Sequence, residues 1–499
     1  MAKNLIYDVQ DRPKFSNMLV FALQQLLAIL AATIAVPTII GLPTQIPAAI
    51  FGAGVGTLVY QLFTRFKSPV FLGSSFAFLS SLGVAVAYGY CGIVLGSIVA
   101  GLVYVAIAIV IHFVGTNWVG KLLPPVIIGP TVALIGLSLA KNAMGDMVAA
   151  NSSAINGSYN LVALLCGLVT FMTVIICSVQ KRYRMAKLIP FIIGIGAGYA
   201  LASVFTAIGN AFSLDYLKII NWEPFVNNFV DASGNFRGFS AFFDFPHLAV
   251  IEAIKELATG EFSAEILAAS KFSASSLDAG SIAEVVIAFL PVALVVFAEH
   301  IADHKNLSTI IEKDLITDPG LERTLLGDGV GSIAGTAFGV CPNTTYGESV
   351  GCVAITRNAS VATITTTAFM CIALSFFSPV MTLLQTIPRC VMGGVCLTLY
   401  GFIAVSGLKM FKDIDLGDNR NMFTVSSILI AGIGGLAIQI PYEVLSNGAV
   451  SKTIQVTSIA TALILGIFTN FILGKVEKSK LGVDPEEQND SAESAGTEE

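Results

Sequence analysis

Long apolar stretches, separated by short polar segments, follow one another along nearly the whole chain. Stretches of this length can cross the hydrocarbon layer of a membrane, which is about 30 Å thick. The pattern predicts a polytopic, all-α membrane protein with about fourteen transmembrane segments. They lie at residues 16–36, 46–64, 70–88, 92–114, 124–145, 159–179, 187–208, 281–300, 324–341, 343–358, 360–380, 387–407, 422–441 and 452–474.

Two of these windows are interrupted by turn-forming and small polar residues. SPVFLGSS (68–75) opens one of them and PNTTYGE (342–348) opens the other. Backbone that is not helical within a bilayer is tolerated only where it is buried in protein or lines a wet cavity. We therefore expect each window to hold a short strand followed by a half-helix, with a polar site where the two cross. The alternative is a pair of re-entrant segments that pack for structural reasons alone.

The two halves of the chain resemble each other at these breaks. The hydroxyl, hydroxyl, aromatic triplet at 74–76 is matched by the triplet at 344–346, which lies 270 residues later. A proline followed by a glycine five residues on occurs at 124 and again at 388. Because seven windows separate the members of each pair, the second copy would cross the membrane in the opposite direction. The pattern predicts two inverted seven-segment repeats, which are common in secondary transporters.

Composition excludes a water-soluble globular protein. Hydrophobic residues make up 55% of the 499 residues and charged residues only 12%, whereas a soluble domain has about 25% charged residues. The eight cysteines include no CxxC pair, so we interpret them as small core residues. The net charge of -6 includes an acidic stretch at 485–499, which is typical of a solvated, disordered end.

Lysine and arginine concentrate in alternate loops, which by the positive-inside rule places both termini in the cytoplasm. We divide the chain into a cytoplasmic N-terminus (1–15), a first seven-span repeat (16–208), an extracellular insertion (209–280), a second seven-span repeat (281–475) and a disordered cytoplasmic tail (476–499). The amphipathic part of the insertion, HLAVIEAIKELA, is expected to form a surface cap.

Carboxylates inside apolar windows mark a candidate site. Glu299 lies within one window and Glu348 at the second break, and a charge in the bilayer costs at least roughly 2.5–3.5 kcal/mol. Asp303, at i+4 from Glu299 on the same helix face, is a candidate proton carrier. The alternative is a structural pairing of Glu299 with His300 or Arg357. His304 begins a charged loop and is expected to be solvated.

Motifs of catalysis are missing from the sequence. We find no HExxH, no nucleophile elbow, no Walker loop and no metal-spaced set of cysteines or histidines. The chain is therefore not expected to be an enzyme, to bind a metal or to need a cofactor, and nothing in it indicates a nucleic-acid partner.

The stretch NTTYGESVGCVAITR (343–357) resembles the signature of the nucleobase/ascorbate transporter family, also called nucleobase:cation symporter-2. The signature positions are Glu348, Gly351, Thr356 and Arg357. GSSFAF (73–78), AEH (298–300) and KDLITDPGLERT (313–324) are similar to segments of the bacterial uracil permeases of that family. The resemblance covers nearly the whole chain except 209–280 and the tail.

The resemblance implies a fourteen-span fold with a core and a gate domain, which works as a homodimer by elevator-like alternating access in the plasma (inner) membrane. In such a site Glu299 and Glu348 bind the pyrimidine edge, backbone groups of Phe76 and Gly347 complete the contact, and three further residues lie nearby. These are Ser75, Tyr346 and Ala32.

The resemblance favours uracil as the substrate and import by proton symport as the reaction, with Asp303 and Glu299 as proton-coupling residues. Purine carriers of the family tend to have glutamine at the position of Glu348. Well-known uracil carriers have histidine at the position of Asp303, so this chain departs from them there. The alternatives are a purine (xanthine or urate type) or another pyrimidine as substrate, a channel, and a base sensor that does not transport.

Overall fold

A computed structural model describes residues 5–149, 159–230, 234–270, 274–444 and 450–480. The helices of the first half are α1 Phe15–Ile39, α2 Ile46–Phe63, α3 Leu79–Val86, α4 Gly89–Val114, α5 Asn117–Leu122, α6 Pro125–Met147, α7 Leu161–Val179, α8 Arg184–Leu188 and α9 Pro190–Ala211. Strand β1, Leu72–Ser74, precedes α3.

The middle and second half are also mainly helical. The insertion holds α10 Glu223–Phe229, α11 Ala249–Thr259 and α12 Ala264–Ala269. The remaining elements are α13 Ala279–Ile311, α14 Leu321–Phe338, β2 Asn343–Thr345, α15 Gly347–Thr356, α16 Val361–Ser375, α17 Ser378–Gln385, α18 Arg389–Lys409, α19 Asn419–Ile433, β3 Ile438–Val444, β4 Val450–Val456 and α20 Ser458–Lys480.

Long apolar helices form the framework of the protein. In the described part of the chain, nine helices are long and apolar enough to cross a bilayer. They are α1, α2 with the turn before it, α4, α6, α7, α9, α13, α18 and α20. A helix lies in each of the fourteen predicted windows, while the number that cross the bilayer stays a prediction.

The helices pack in two groups. In the first group α2 packs on α14 and α16, α4 packs on α13 and α14, and α1 packs on α16. In the second group α6 packs on α18 and α19, α7 packs on α9 and α18, and α19 packs on α20. Both groups combine helices from the two halves of the chain, so the halves are interlocked rather than side by side.

Small residues let the helices approach closely within each group. A Cβ atom added to Gly52 of α2 would lie 2.1 Å from the carbonyl oxygen of Gly335 in α14. A Cβ atom added to Gly136 of α6 would lie 2.2 Å from the carbonyl oxygen of Tyr400 in α18. Lipid supplies no hydrophobic force between helices, so close contact of small residues provides the packing energy instead.

The insertion is anchored to the ends of two spanning helices by two carboxylates, of which Glu256 is buried and Glu265 is half-buried. Glu256 of α11 accepts a hydrogen bond from the backbone nitrogen of Cys91, at 3.1 Å, in the first turn of α4. Glu265 of α12 accepts one from the backbone nitrogen of Thr44, at 3.0 Å, just before α2. Gly89 starts α4 with φ at +68° and packs against Glu256. The amphipathic stretch thus lies across the end of the first helix group.

Three expectations from the sequence are wrong. The window 422–441 contains a helix only as far as Ile433, and a β3–β4 hairpin follows it, so the protein is not all-α. Helix α13 continues to Ile311 instead of ending near 300. His304 is therefore fully buried within the helix and is not a solvated loop residue. The tail beyond 480 lies outside the described residues.

Candidate functional site

The two broken windows meet as two short antiparallel strands. Leu72 of β1 lies opposite Thr345 of β2, and Ser74 lies opposite Asn343. The contact extends beyond the strands, because the backbone nitrogen of Ser75 donates to the carbonyl oxygen of Pro342 at 2.9 Å. All six strand residues are buried. Each broken segment therefore supplies hydrogen-bond partners to the other inside the protein, as backbone at membrane depth requires.

A half-helix starts directly after each strand. A 3-10 turn at Phe76–Phe78 leads into α3, and α15 begins at Gly347. The first backbone N–H groups of a helix have no partner within the helix and carry a partial positive charge. The predicted strand-plus-half-helix arrangement is present in both windows, and it places two helix starts beside the strand crossing.

Tyr346 connects the two broken segments and α1. Its hydroxyl donates to the carbonyl oxygen of Ser74 at 3.0 Å and accepts from the Thr33 hydroxyl at 3.5 Å. A Cβ atom at Gly73 would lie 2.3 Å from the Tyr346 ring, so the ring requires a glycine there. Ala32, next to Thr33, is fully buried in α1.

Helix α13 supplies two carboxylates to the same region. Asp303 accepts a hydrogen bond from the Thr345 hydroxyl at 2.6 Å, and its Oδ1 lies 4.0 Å from the Cβ position of Gly347. Glu299 lies one turn earlier on α13, within electrostatic range of both Asp303 and Glu348. Three carboxylates therefore converge on the start of α15.

The start of α15 is accessible. Gly347 is exposed and Glu348 is half-buried, although Tyr346 and Ser349 on either side are buried. Glu299 is half-buried as well. These three residues therefore border open space, whereas Ser75, Phe76 and Tyr346 form buried walls behind it.

Phe76 connects this region to the second helix group. Its ring packs edge-on against the ring of Tyr400 in α18, with centroids 5.4 Å apart. The candidate site thus lies where the first group, through α13, α15 and β1, faces the second group.

Most of the residues singled out in the sequence lie together here. Ser75, Phe76, Tyr346, Gly347 and Glu348 flank the strand crossing, and Asp303 reaches it through Thr345. Their roles toward a substrate stay predictions. Among the described residues, no group of three or more histidine, cysteine, aspartate and glutamate side chains could hold a metal ion.

A second buried polar cluster was not foreseen. His300 hydrogen bonds to Asp328 through Nδ1 at 2.7 Å and to the Thr324 hydroxyl through Nε2 at 3.1 Å. Both ring nitrogens of His300 are therefore occupied, which excludes the suggested pairing with Glu299. His304 contacts the Tyr60 hydroxyl at 2.8 Å. The sequence signal that could have revealed this cluster was the carboxylate of Asp328 inside the predicted window 324–341.

Contacts to the hydroxyls of Thr33, Thr345 and Ser349 were also missed. The Gln25 side chain of α1 donates to the Ser349 hydroxyl at 2.6 Å. Hydroxyl groups within membrane segments often bond their own helix backbone, as Thr33 also does to the Ile29 carbonyl oxygen at 3.0 Å. The sequence therefore offered no signal that these three hydroxyls also contact other elements.

Comparison with known proteins identifies the family of the chain. A model of a permease family matches residues 16–440. The uracil permease of Bacillus caldolyticus is 36% identical over 471 residues, covering 94% of each chain. That of Bacillus subtilis (strain 168) is 35% identical over 494 residues, covering 98% of each. That of Escherichia coli (strain K12) is 31% identical over 451 residues, covering 90% of this chain and 92% of its own.

Solved transporters share the fold at low sequence identity. The transmembrane domain of the cyanobacterium bicarbonate transporter BicA superposes with a TM-score of 0.52 at 12% identity, covering 93% of this chain and 99% of that domain. SLC26A9 superposes with a TM-score of 0.57 at 9% identity, covering 93% and 66%. Since the family model and three relatives all extend over most of its length, the chain belongs to the nucleobase/ascorbate transporter family of permeases.

Proposed function

We propose that this protein imports uracil by proton symport across a bacterial-type plasma membrane. The observation that carries the proposal is the convergence of Glu299, Asp303 and Glu348 on the start of α15, beside the strand crossing. Relatives that are named uracil permeases and align over nearly the whole chain support the choice of substrate.

The chemistry of uracil suits this arrangement. Uracil presents two N–H donors and two carbonyl acceptors on one ring. Carboxylates accept hydrogen bonds, and free backbone N–H groups at a helix start donate them. Glu299 and Glu348 accept from the base, while backbone groups at Phe76 and Gly347 bond its polar edge. Tyr346, Ser75 and Ala32 shape the wall of the site.

Asp303 and Glu299 carry the coupled proton. Asp303 is bonded to Thr345 on the second broken segment, so gain or loss of a proton changes how α13 holds the substrate-binding backbone. Glu299, one turn away, contacts the substrate and also takes part in the proton exchange. Proton binding and uracil binding are thus linked through neighbouring atoms.

Transport follows an elevator-like course in a homodimer. The first helix group acts as the moving core domain and carries the strand crossing, while the second group acts as the gate domain. The two-group packing and the Phe76–Tyr400 contact between groups support this division. The antiparallel β1–β2 pairing supports the inverted repeat, and both termini lie in the cytoplasm.

The test is uptake of labelled uracil by proteoliposomes, with and without an inward proton gradient. Accumulation above the external concentration under the gradient is expected, and unlabelled uracil should compete better than xanthine or hypoxanthine. Stronger competition by a purine would move the substrate to that class. Saturable binding without accumulation would replace transport by base sensing, and conductance without saturation would indicate a channel.

A further inference from the structure

The insertion carries a cluster of phenylalanines that the transport site does not use. Seven phenylalanines lie between residues 225 and 245. Phe236, Phe239 and Phe245 are 62%, 77% and 59% exposed. We call the exposed group the phenylalanine surface; it consists of Phe236, Phe239, Phe242, Phe243 and Phe245. Contiguous exposed apolar surface marks an interaction site.

Backbone hydrogen bonds hold this surface at the end of a spanning segment. The nitrogen of Asp244 donates to the carbonyl oxygen of Phe376 at 3.1 Å, and the nitrogen of Ser378 donates to that of Phe242 at 3.0 Å. Phe376 and Ser378 lie at the junction of α16 and α17. The surface therefore has a defined height relative to the membrane helices.

A series of aromatic ring contacts connects this surface to helix α2. The Phe245 ring lies 5.5 Å from the Phe376 ring, which lies 5.7 Å from the Phe51 ring of α2. At most about 11 Å therefore separates the rings of Phe245 and Phe51. Phe51 lies eight residues into the span that starts at Pro43, or about 12 Å along the helix axis. The Phe245 ring thus lies within about 11 Å of the half of that span that starts at Pro43.

Apolar exposure continues from this surface onto the spanning helices. Phe338 at the end of α14 packs against Phe51 with centroids 5.9 Å apart and is itself exposed. Phe369, two turns before the end of α16, is also exposed. Both helices lie in windows predicted to cross the membrane, where exposed phenylalanines are expected to face lipid, so the phenylalanine surface continues the expected lipid-facing exterior.

From this continuity we infer that the phenylalanine surface is seated in the interfacial zone of the bilayer leaflet on the insertion side. Amphipathic segments at this zone bury apolar side chains about 5–10 Å into the boundary between headgroups and acyl chains. Arg237 is exposed within the same segment, and its guanidinium suits the phosphate of a lipid headgroup. The partner is thus a phospholipid leaflet, and the insertion is attached to the membrane as well as to α2 and α4.

Site-directed spin labelling tests the inference in vesicles of phosphatidylethanolamine and phosphatidylglycerol. Six of the eight native cysteines are buried, and Cys91 and Cys177 are partly exposed, so these two are replaced by alanine. A nitroxide is then attached to Phe239→Cys and, as an independent second site, to Phe243→Cys. Glu261→Cys, exposed in the same insertion, is the water-facing control, and Phe369→Cys is the lipid-facing control.

Accessibility to oxygen, which concentrates in lipid, is compared with accessibility to a water-soluble nickel chelate. The oxygen-to-nickel ratio at 239 and 243 should shift from the Glu261→Cys value toward the Phe369→Cys value. Ratios equal to that of Glu261→Cys at both positions would overturn the inference. So would dipolar broadening between labels that disappears on dilution with unlabelled protein, because the surface would then bind a second copy of the chain.

Discussion

At the scale of single residues, the carboxylates within the membrane helices differ in their surroundings. Asp303 is bonded by Thr345, and Asp328 is bonded by His300. A charge in the bilayer costs at least roughly 2.5–3.5 kcal/mol, and these partners offset part of that cost. Glu299 and Glu348 border open space instead. That difference is why we assign the latter two to the substrate.

Replacing the carboxylate at the start of α15 should change substrate choice. Glu348→Gln keeps the shape of the side chain but turns one acceptor oxygen into a donor group. A site built on hydrogen bonds discriminates strongly when one partner changes. The apparent affinity for labelled uracil, measured by uptake, should therefore fall at least about tenfold, which corresponds to 1.4 kcal/mol. Competition by xanthine should increase.

Glu261→Gln, an exposed change in the insertion, is the matched control and should leave both quantities unchanged. Wild-type uracil affinity in Glu348→Gln would contradict the placement of that residue.

Replacing Asp303 should separate binding from coupling. Asp303→Asn keeps a side-chain oxygen that can accept from the Thr345 hydroxyl, but it cannot exchange a proton. Uracil binding in detergent should stay close to that of the wild type, while accumulation under an inward proton gradient should be lost. If accumulation persists in Asp303→Asn, the coupled proton resides on another group.

The sequence predicted this neighbourhood because physical constraints act there locally. Proline, glycine and hydroxyl residues inside an apolar window exclude an uninterrupted helix, and a carboxylate one turn from another shares its face. The Asp328–His300 pair joins residues 28 positions apart. They come together because α13 and α14 both pack on α4, so no local pattern could predict the pair.

At the scale of elements, helix contacts depend on glycine. Gly136 faces the backbone of α18, and an added Cβ would lie 2.2 Å from the Tyr400 carbonyl oxygen. Gly136→Ala should therefore destabilise the protein by about 1–3 kcal/mol, as overpacking does, and lower its melting temperature in detergent. Gly145→Ala on the same helix meets nothing within 4 Å and should be neutral or slightly stabilising. Equal effects of the two changes would contradict the α6–α18 packing.

The docking of the insertion should depend on pH. Burial raises the pKa of the Glu256 carboxyl above its ordinary value. The folded state then binds more protons than the unfolded state, so this contribution to stability is full below the unfolded pKa and is lost as pH rises through the folded pKa. Glu256→Gln lacks this titratable group. Its melting temperature relative to that of the wild type should therefore increase as the pH rises from acidic to neutral.

Glu256→Ala is the matched variant, because it also removes the acceptor for the Cys91 nitrogen. It should be about 1 kcal/mol less stable than Glu256→Gln at every pH. A Glu256→Gln protein less stable than the wild type at neutral pH would mean that attraction of the charge to the start of α4 outweighs its desolvation.

Element boundaries show where sequence patterns stop being informative. Polar residues at 304–309 indicated a loop, yet they lie in the last turns of α13, where His304 contacts Tyr60 of α2. The window 422–441 is mostly apolar, but β3 begins at Ile438. A short apolar run suits a strand as well as a helix, so its composition alone cannot separate the two.

At the scale of the whole molecule, apolar length along the chain was sufficient to predict a membrane protein with a helix in every window. It could not predict which windows pack together, because helices in a bilayer associate through shape and small residues rather than through hydrophobicity. Only the structure therefore shows that each group combines helices from both halves of the chain. The strand crossing belongs to the first group and faces the second group where Phe76 packs against Tyr400.

The most direct test compares gradient-driven uracil uptake by the wild type with that by Glu299→Ala in proteoliposomes, at equal protein incorporation. Glu299 lies one turn from Asp303 and within electrostatic range of Glu348, so it takes part in both substrate binding and coupling in this account. Accumulation by the wild type that disappears in Glu299→Ala is the predicted result. Undiminished accumulation by Glu299→Ala would contradict the site, and no accumulation by the wild type would contradict uracil/proton symport itself.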